Sequence, residues 1–115
     1  MDSLEPLVDL PRLESLHFQN TRVKRGGINP LARCRKLKVL ELPNFFPVEE
    51  FAFLAAKLPR AKCEFFSPWV GASFVAGANV MITGRRMPFL HSKRDRARIR
   101  EYEERFEQLR EGFRS

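Results

Sequence analysis

Two stretches, LESLHFQN at residues 13–20 and LKVLELPN at residues 37–44, are variants of one phrase set 24 residues apart. Leu13 matches Leu37, Leu16 matches Leu40, Phe18 matches Leu42 and Asn20 matches Asn44. The register extends upstream, where Pro6-Leu7 meets Pro30-Leu31 and Arg12 meets Lys36. A repeat of this length constrains the fold more than any bulk property. Each unit has room for one short strand and a return segment, so successive strands run side by side in parallel. Within L-x-x-L-x-L the last two apolar positions alternate along a strand and point into a core, while the first packs just ahead of it. This predicts strands near residues 14–18 and 38–42.

The return segments differ. After the first copy, residues 21–27 are basic and end in Gly26-Gly27, and Pro30 to Arg35 predict one or two helical turns. After the second, Pro47 opens a helix near residues 48–58. Glu49 and Glu50 suit its first turn, and Phe51, Leu54, Ala55 and Leu58 follow at i, i+3, i+4 and i+7. Pro59 ends it. A weaker third copy follows. LPRAKCEFF at residues 58–66 echoes LPRLESLHF at residues 10–18 once one residue is deleted. The deletion puts Ala61, Cys63 and Phe65 inward; without it Glu64 faces the core, at high cost for an unpaired carboxylate. A third strand is therefore expected near residues 62–66, and a last one at Val80-Met81-Ile82-Thr83 after a Gly- and Ala-rich segment. From Ser92 the pattern turns helical. Ile99, Tyr102, Phe106, Leu109 and Phe113 form one narrow apolar seam, which predicts a long amphipathic helix near residues 93–111.

These residues resemble the leucine-rich repeat family. The resemblance covers residues 4–66, on Leu13, Leu16 and Phe18, on Leu37, Leu40 and Leu42, and on the degenerate Ala61, Cys63 and Phe65. The family's usual Asn after the strand would fall at Thr21 and Phe45, whereas Asn20 and Asn44 stand one place earlier. The resemblance implies an α/β fold: a short solenoid of parallel strands over residues 1–91. The helix of residues 92–115 would cap it within the same domain. It also implies a non-catalytic protein that binds a partner protein through its concave strand face. One version is an inhibitor or immunity-type binder.

Composition agrees with a non-catalytic role. The 115 residues include two histidines and two cysteines. Neither His17 nor His91 neighbours a Cys or carboxylate at ligand spacing. Cys34 lies on a core rung one repeat after Leu10, and Cys63 occupies an apolar strand slot; both read as small buried residues. A zinc site from Cys34, Cys63 and His17 lacks a fourth ligand and any motif spacing. GASFVAGANVMITG lacks the glycine register of a phosphate cradle. No enzyme activity, metal or cofactor is expected. No stretch suits a bilayer span, and Met1-Asp-Ser-Leu-Glu lacks a signal-peptide pattern. Two thiols in such a chain indicate a reducing, cytoplasmic setting.

Two surfaces remain as candidate sites. The outward residues of the strands are Ser15, His17 and Gln19, then Val39, Glu41 and Pro43, then Glu64 and Phe66; His17 and Glu41 should meet across adjacent strands. The rival is a cationic patch. The net charge of +7 is concentrated in residues 21–36 and 84–100, and the second block holds Arg85, Arg86, Lys93, Arg94, Arg96, Arg98 and Arg100. Such a block suits phosphates, so the alternative function is a nucleic-acid-binding module. No aromatic residues interleave with it to stack bases, and acidic residues follow directly, which favours a solvated or partner-facing patch. Finally, the uncovered edge of the first strand, the eleven Phe residues and the apolar seam of the last helix all favour a homodimer.

Overall fold

Side-chain alternation organises the first sheet. The structure is a computed structural model, which describes residues 12–17, 27–72 and 76–114. Strand β1 (Ser15–His17) pairs in parallel with β2 (Val39–Glu41), setting Ser15 beside Val39, Leu16 beside Leu40 and His17 beside Glu41. The 24-residue offset of the sequence is thus the register of the ladder. Lys38 and Val39 both donate their N–H groups to the Glu14 carbonyl at its start, at 2.7 and 3.1 Å. Leu40 is buried and Leu16 partly so, while their flanking residues face outward. Phe18 and Asn20 lie outside the described residues.

The described part of the return between the strands holds a 3-10 turn, Asn29–Arg33, with Pro30 at its start and Ile28 and Leu31 fully buried. After β2 comes helix α1 (Val48–Lys57). Pro47 stands ahead of it, Glu49 and Glu50 complement the positive end of its dipole, and Pro59 follows Leu58 to end it. Its buried face, Val48, Phe51, Ala52, Leu54 and Ala55, closes over the sheet. Phe51 meets Phe46 edge-on at 6.1 Å and Phe65 at 5.5 Å between ring centroids.

The third copy begins in the expected register and then departs. Val39 bridges Lys62 in parallel: Lys62 N–H donates to the Lys38 carbonyl at 2.8 Å, and Leu40 N–H donates to the Lys62 carbonyl at 2.9 Å. That is the one-residue deletion, and Cys63 and Phe65 pack against the core as it requires. The expected strand at 62–66 does not form. Phe66 N–H instead turns back to the Cys63 carbonyl at 3.1 Å, and Ser67 Oγ donates to the Glu64 carbonyl at 3.1 Å. Two causes act here. Continuing the register would set Glu64 beside Glu41, a like-charge neighbour that weakens a sheet. Pro68, just beyond, has no N–H for a ladder.

The chain beyond Pro68 overturns the leucine-rich-repeat solenoid. Strands β3 (Trp69–Gly71), β4 (Val80–Ile82) and β5 (Phe89–Leu90) form a separate antiparallel sheet in that order. The class is α/β, but the architecture among the described residues is a small domain with a two-stranded parallel sheet, a three-stranded antiparallel sheet and two α-helices. Helix α2 (Arg96–Phe113) is also not a cap over the end of a strand stack; it packs along α1. Ile99 joins Val80, Ile82 and Leu90 in a cluster under the antiparallel sheet. Two turns later Phe106, 1% exposed, enters the main core, and the Phe113 ring meets Phe53 edge-on at 5.2 Å.

Polar latches join the sheets. Asn44 donates through its amide nitrogen to the Ile82 carbonyl at 3.1 Å and accepts from Gly84 N–H at 2.7 Å. Thr83, fully buried, donates its hydroxyl to the Ser67 carbonyl at 2.6 Å, and its N–H goes to the Pro68 carbonyl at 3.0 Å. Gly84 has φ +119°, and a Cβ there would come within 3.0 Å of the Val48 side chain. No other residue type meets both demands without strain.

Candidate functional site

The departure of the third repeat leaves a groove. It holds about 470 Å³ and is lined by Val39 to Leu42 on one side and Ala61 to Glu64 on the other. Leu40 and Leu42 direct their main-chain groups toward it, because Leu40 N–H already bonds in that direction to Lys62 and strand residues alternate by two. Among the described residues, neither the Leu40 carbonyl nor Leu42 N–H has a main-chain partner on that side. The acceptor that a continued ladder would offer Leu42, the Glu64 carbonyl, is occupied by Ser67 Oγ.

The sequence-predicted face falls on and around this groove. Ser15, His17, Val39 and Glu41 are exposed on the outer face of the parallel sheet, and Glu64 is exposed across the groove. Pro43 and Phe66 are half-buried, so they belong as much to the packing as to the face. Gln19 lies outside the described residues. His17 Nδ1 and Glu41 Oε2 are 2.7 Å apart, the cross-strand pair that alternation predicts, with both side chains more than half exposed. A pair this wet contributes about 0–1 kcal/mol. Among the described residues the parallel strands form no solenoid face; they make one small sheet with a groove at its end.

Lys62 and Cys63 line the groove, although neither was among the outward residues. The signal that finds them is the ladder's end, which alternation does not encode. Burial pushes the Cys63 thiol up to about 11, against small lowering from the N–H groups of Phe65 and Phe66. A thiol held neutral is a poor nucleophile and metal ligand. Cys34 is buried and its thiol is raised too, again by desolvation. Among the described residues no three of His, Cys, Asp and Glu gather as a metal would need.

The cationic residues come from the β4–β5 turn, from the segment after β5 and from the first turns of α2. The β4–β5 register, Val80 beside Leu90, sets the turn with Arg85 and Arg86 at one end of the hairpin. Lys93 and Arg94 follow Leu90 at the other end. There Arg94 donates to the Gly77 carbonyl at 3.1 Å and lies 3.6 Å from Asp95. Asp95 accepts from His91 N–H at 2.9 Å, and this bond, with Arg94 and Arg98 nearby, holds its carboxyl below the ordinary range. Arg96, Arg98 and Arg100 are exposed on the first turns of α2.

Of the features that favour a homodimer, two are used inside the fold. The helix seam packs on α1 and both clusters, and Phe46, Phe51, Phe53, Phe65 and Phe66 all join the main core. Phe45 and Phe89 stay exposed. Phe74 and residues 1–11, on which the edge argument rests, lie outside the described residues. No described helix is long and apolar enough to cross a membrane. Comparison with known protein families, curated proteins and solved structures finds no match, so the resemblance to leucine-rich repeats rests on the quoted residues alone.

Proposed function

We propose that this chain is a non-catalytic binding module for another protein, engaged through the outer face of the parallel sheet and the groove beside it. The observation that carries the reading is the groove itself: an open concavity bounded by exposed Val39, Glu41 and Glu64, beside a sheet edge where, among the described residues, the Leu40 carbonyl and Leu42 N–H have no main-chain partner. Sheet edges with free main-chain groups bind polypeptide readily. An inhibitor or immunity-type role is one form of such a module. Cys34 and Cys63, which form no disulfide, suit the cytosol as its compartment.

The competing reading, a nucleic-acid-binding module, has its support in the net charge of +7 and the exposed arginines of α2. It is weakened by the acidic residues that follow directly on α2, from Glu101 to Glu111. One pair of measurements separates the readings. Binders selected from a library of displayed folded domains should compete for the sheet face, losing affinity on Val39→Arg but not on Arg98→Ala. Mixed DNA and RNA should not be retained even at low salt. Retention that collapses steeply as salt rises, and that Arg98→Ala weakens, would transfer the function to nucleic acid.

A further inference from the structure

The groove's main-chain pattern specifies more than a generic protein surface. In a parallel ladder, one residue of the incoming strand donates its N–H to residue i of its neighbour and accepts from residue i+2. The Leu40 carbonyl and Leu42 N–H, both without a main-chain partner among the described residues, are such a pair, and they bracket Glu41. The chain's own candidate for that place, Glu64, has turned away and lies on the opposite wall. A residue seated between them would point its side chain to the same outer face as Glu41. There it would meet two exposed carboxylates, on Glu64 and on Glu41, whose Oε2 also lies 2.7 Å from His17 Nδ1. Among the described residues the lining cation is Lys62, at the closed end where the bridge to Val39 begins.

Resting on the binding-module reading above, we propose that the groove accepts a short extended segment of the partner, added in parallel to β2, with a lysine or arginine opposite Glu41. The main-chain pair supplies orientation and the two carboxylates supply selectivity. Val39, exposed on the same face, gives the segment an apolar neighbour. A segment with Glu at the central position would restore the like-charge contact that excludes Glu64 itself. The neutral thiol of Cys63 completes the wall without adding charge.

The test uses the full chain and a displayed library of random heptapeptides. Enriched peptides should carry Lys or Arg at one fixed position. Synthetic versions should lose at least tenfold in affinity when that residue becomes Glu, or when its own nitrogen is methylated. Glu41→Lys combined with Glu64→Lys should lower affinity at least tenfold for the basic peptides and raise it for the Glu versions. Both positions are exposed, and circular dichroism of the variant verifies that the fold is kept. Amide exchange at Leu42 should slow at least tenfold at saturation. Failure to enrich peptides, indifference to backbone methylation, or unchanged exchange at Leu42 overturns strand addition. The wider reading fails separately, when selected folded domains do not compete for the Val39 face.

Discussion

Asn44 is the residue on which the two sheets depend most directly. Its amide serves the Ile82 carbonyl and Gly84 N–H at once, and neither group has a strand partner to replace it. Removing both bonds in Asn44→Ala leaves two part-buried groups unsatisfied, at about 1–3 kcal/mol each when fully desolvated. We expect a loss of about 2 kcal/mol in urea unfolding, with a smaller loss in Asn44→Asp, which keeps the acceptor for Gly84. Equal losses would mean that the Ile82 bond contributes the whole effect. Glu50 performs a similar service for the return segment, accepting from Ile28 N–H at 2.9 Å. Gly27, at φ +54°, makes room for it, since a Cβ there would lie 1.6 Å from the carboxylate oxygen. Burial raises the Glu50 carboxyl above its ordinary value of 4.5, against lowering by the Ile28 bond and Arg85. A raised folded value means that the unfolded chain ionises first. Glu50 therefore contributes stability below pH 4.5, and that contribution is lost as pH rises through the folded value. Glu50→Gln keeps the acceptor and removes the titration. The difference in stability, wild type minus variant, should fall as pH rises from 4 to 7; a flat difference would refute the linkage.

At the scale of elements, helix α2 is built against its own dipole. Its first turn has no acidic residue, Arg96, Arg98 and Arg100 stand near its positive end, and five glutamates follow from Glu101 to Glu111. Arg96→Glu reverses the first of these and also faces Arg100 one turn on. A favourable end charge contributes about 0.3–1 kcal/mol and an i,i+4 pair about 0.2–0.5 kcal/mol. We expect Arg96→Glu to stabilise the protein by about 1 kcal/mol at low ionic strength, with most of the gain gone in 1 M salt. No gain at low salt would show that Asp95, one residue earlier, already satisfies that end. Elements were also the scale best legible in the sequence. The 24-residue offset gave the pairing of β1 with β2, the i, i+3, i+4, i+7 pattern gave α1, and the Ile99 to Phe113 seam gave α2. The apolar run gave β4 its place but not its partners. Its antiparallel neighbours are only three and two residues long, too short for a period to appear. The end of the ladder at Lys62 was illegible for a different reason. It depends on Glu64 meeting Glu41, a relation that exists only once a register is chosen. Hence the outward residues of the face were readable, while the groove between them was not.

At the scale of the whole molecule, the described residues form two apolar clusters, and helix α2 enters both. Ile99 belongs to the cluster of Val80, Ile82 and Leu90, while Phe106 belongs to the main core. Met87 packs against each, and the Asn44 and Thr83 latches cross between the sheets. The antiparallel sheet alone is marginal, because three short strands bury little without a helix on them. Among the described residues its helical cover is α2, which is held in turn by α1. The two clusters should therefore unfold together. Trp69, the only tryptophan, packs against the second cluster and donates its ring N–H to Glu103 at 3.3 Å, so its fluorescence reports that cluster. Helical circular dichroism reports α1 and α2. In urea both probes should give one midpoint. The sharper version perturbs one cluster and reads the other. Phe106→Ala removes a ring from the main core, at about 3–5 kcal/mol. It should move the Trp69 transition as far as it moves the helical signal, although Phe106 belongs to the other cluster. If the Trp69 midpoint stays at its wild-type position while the helical signal shifts, α2 does not couple the clusters and the antiparallel sheet folds as a unit of its own.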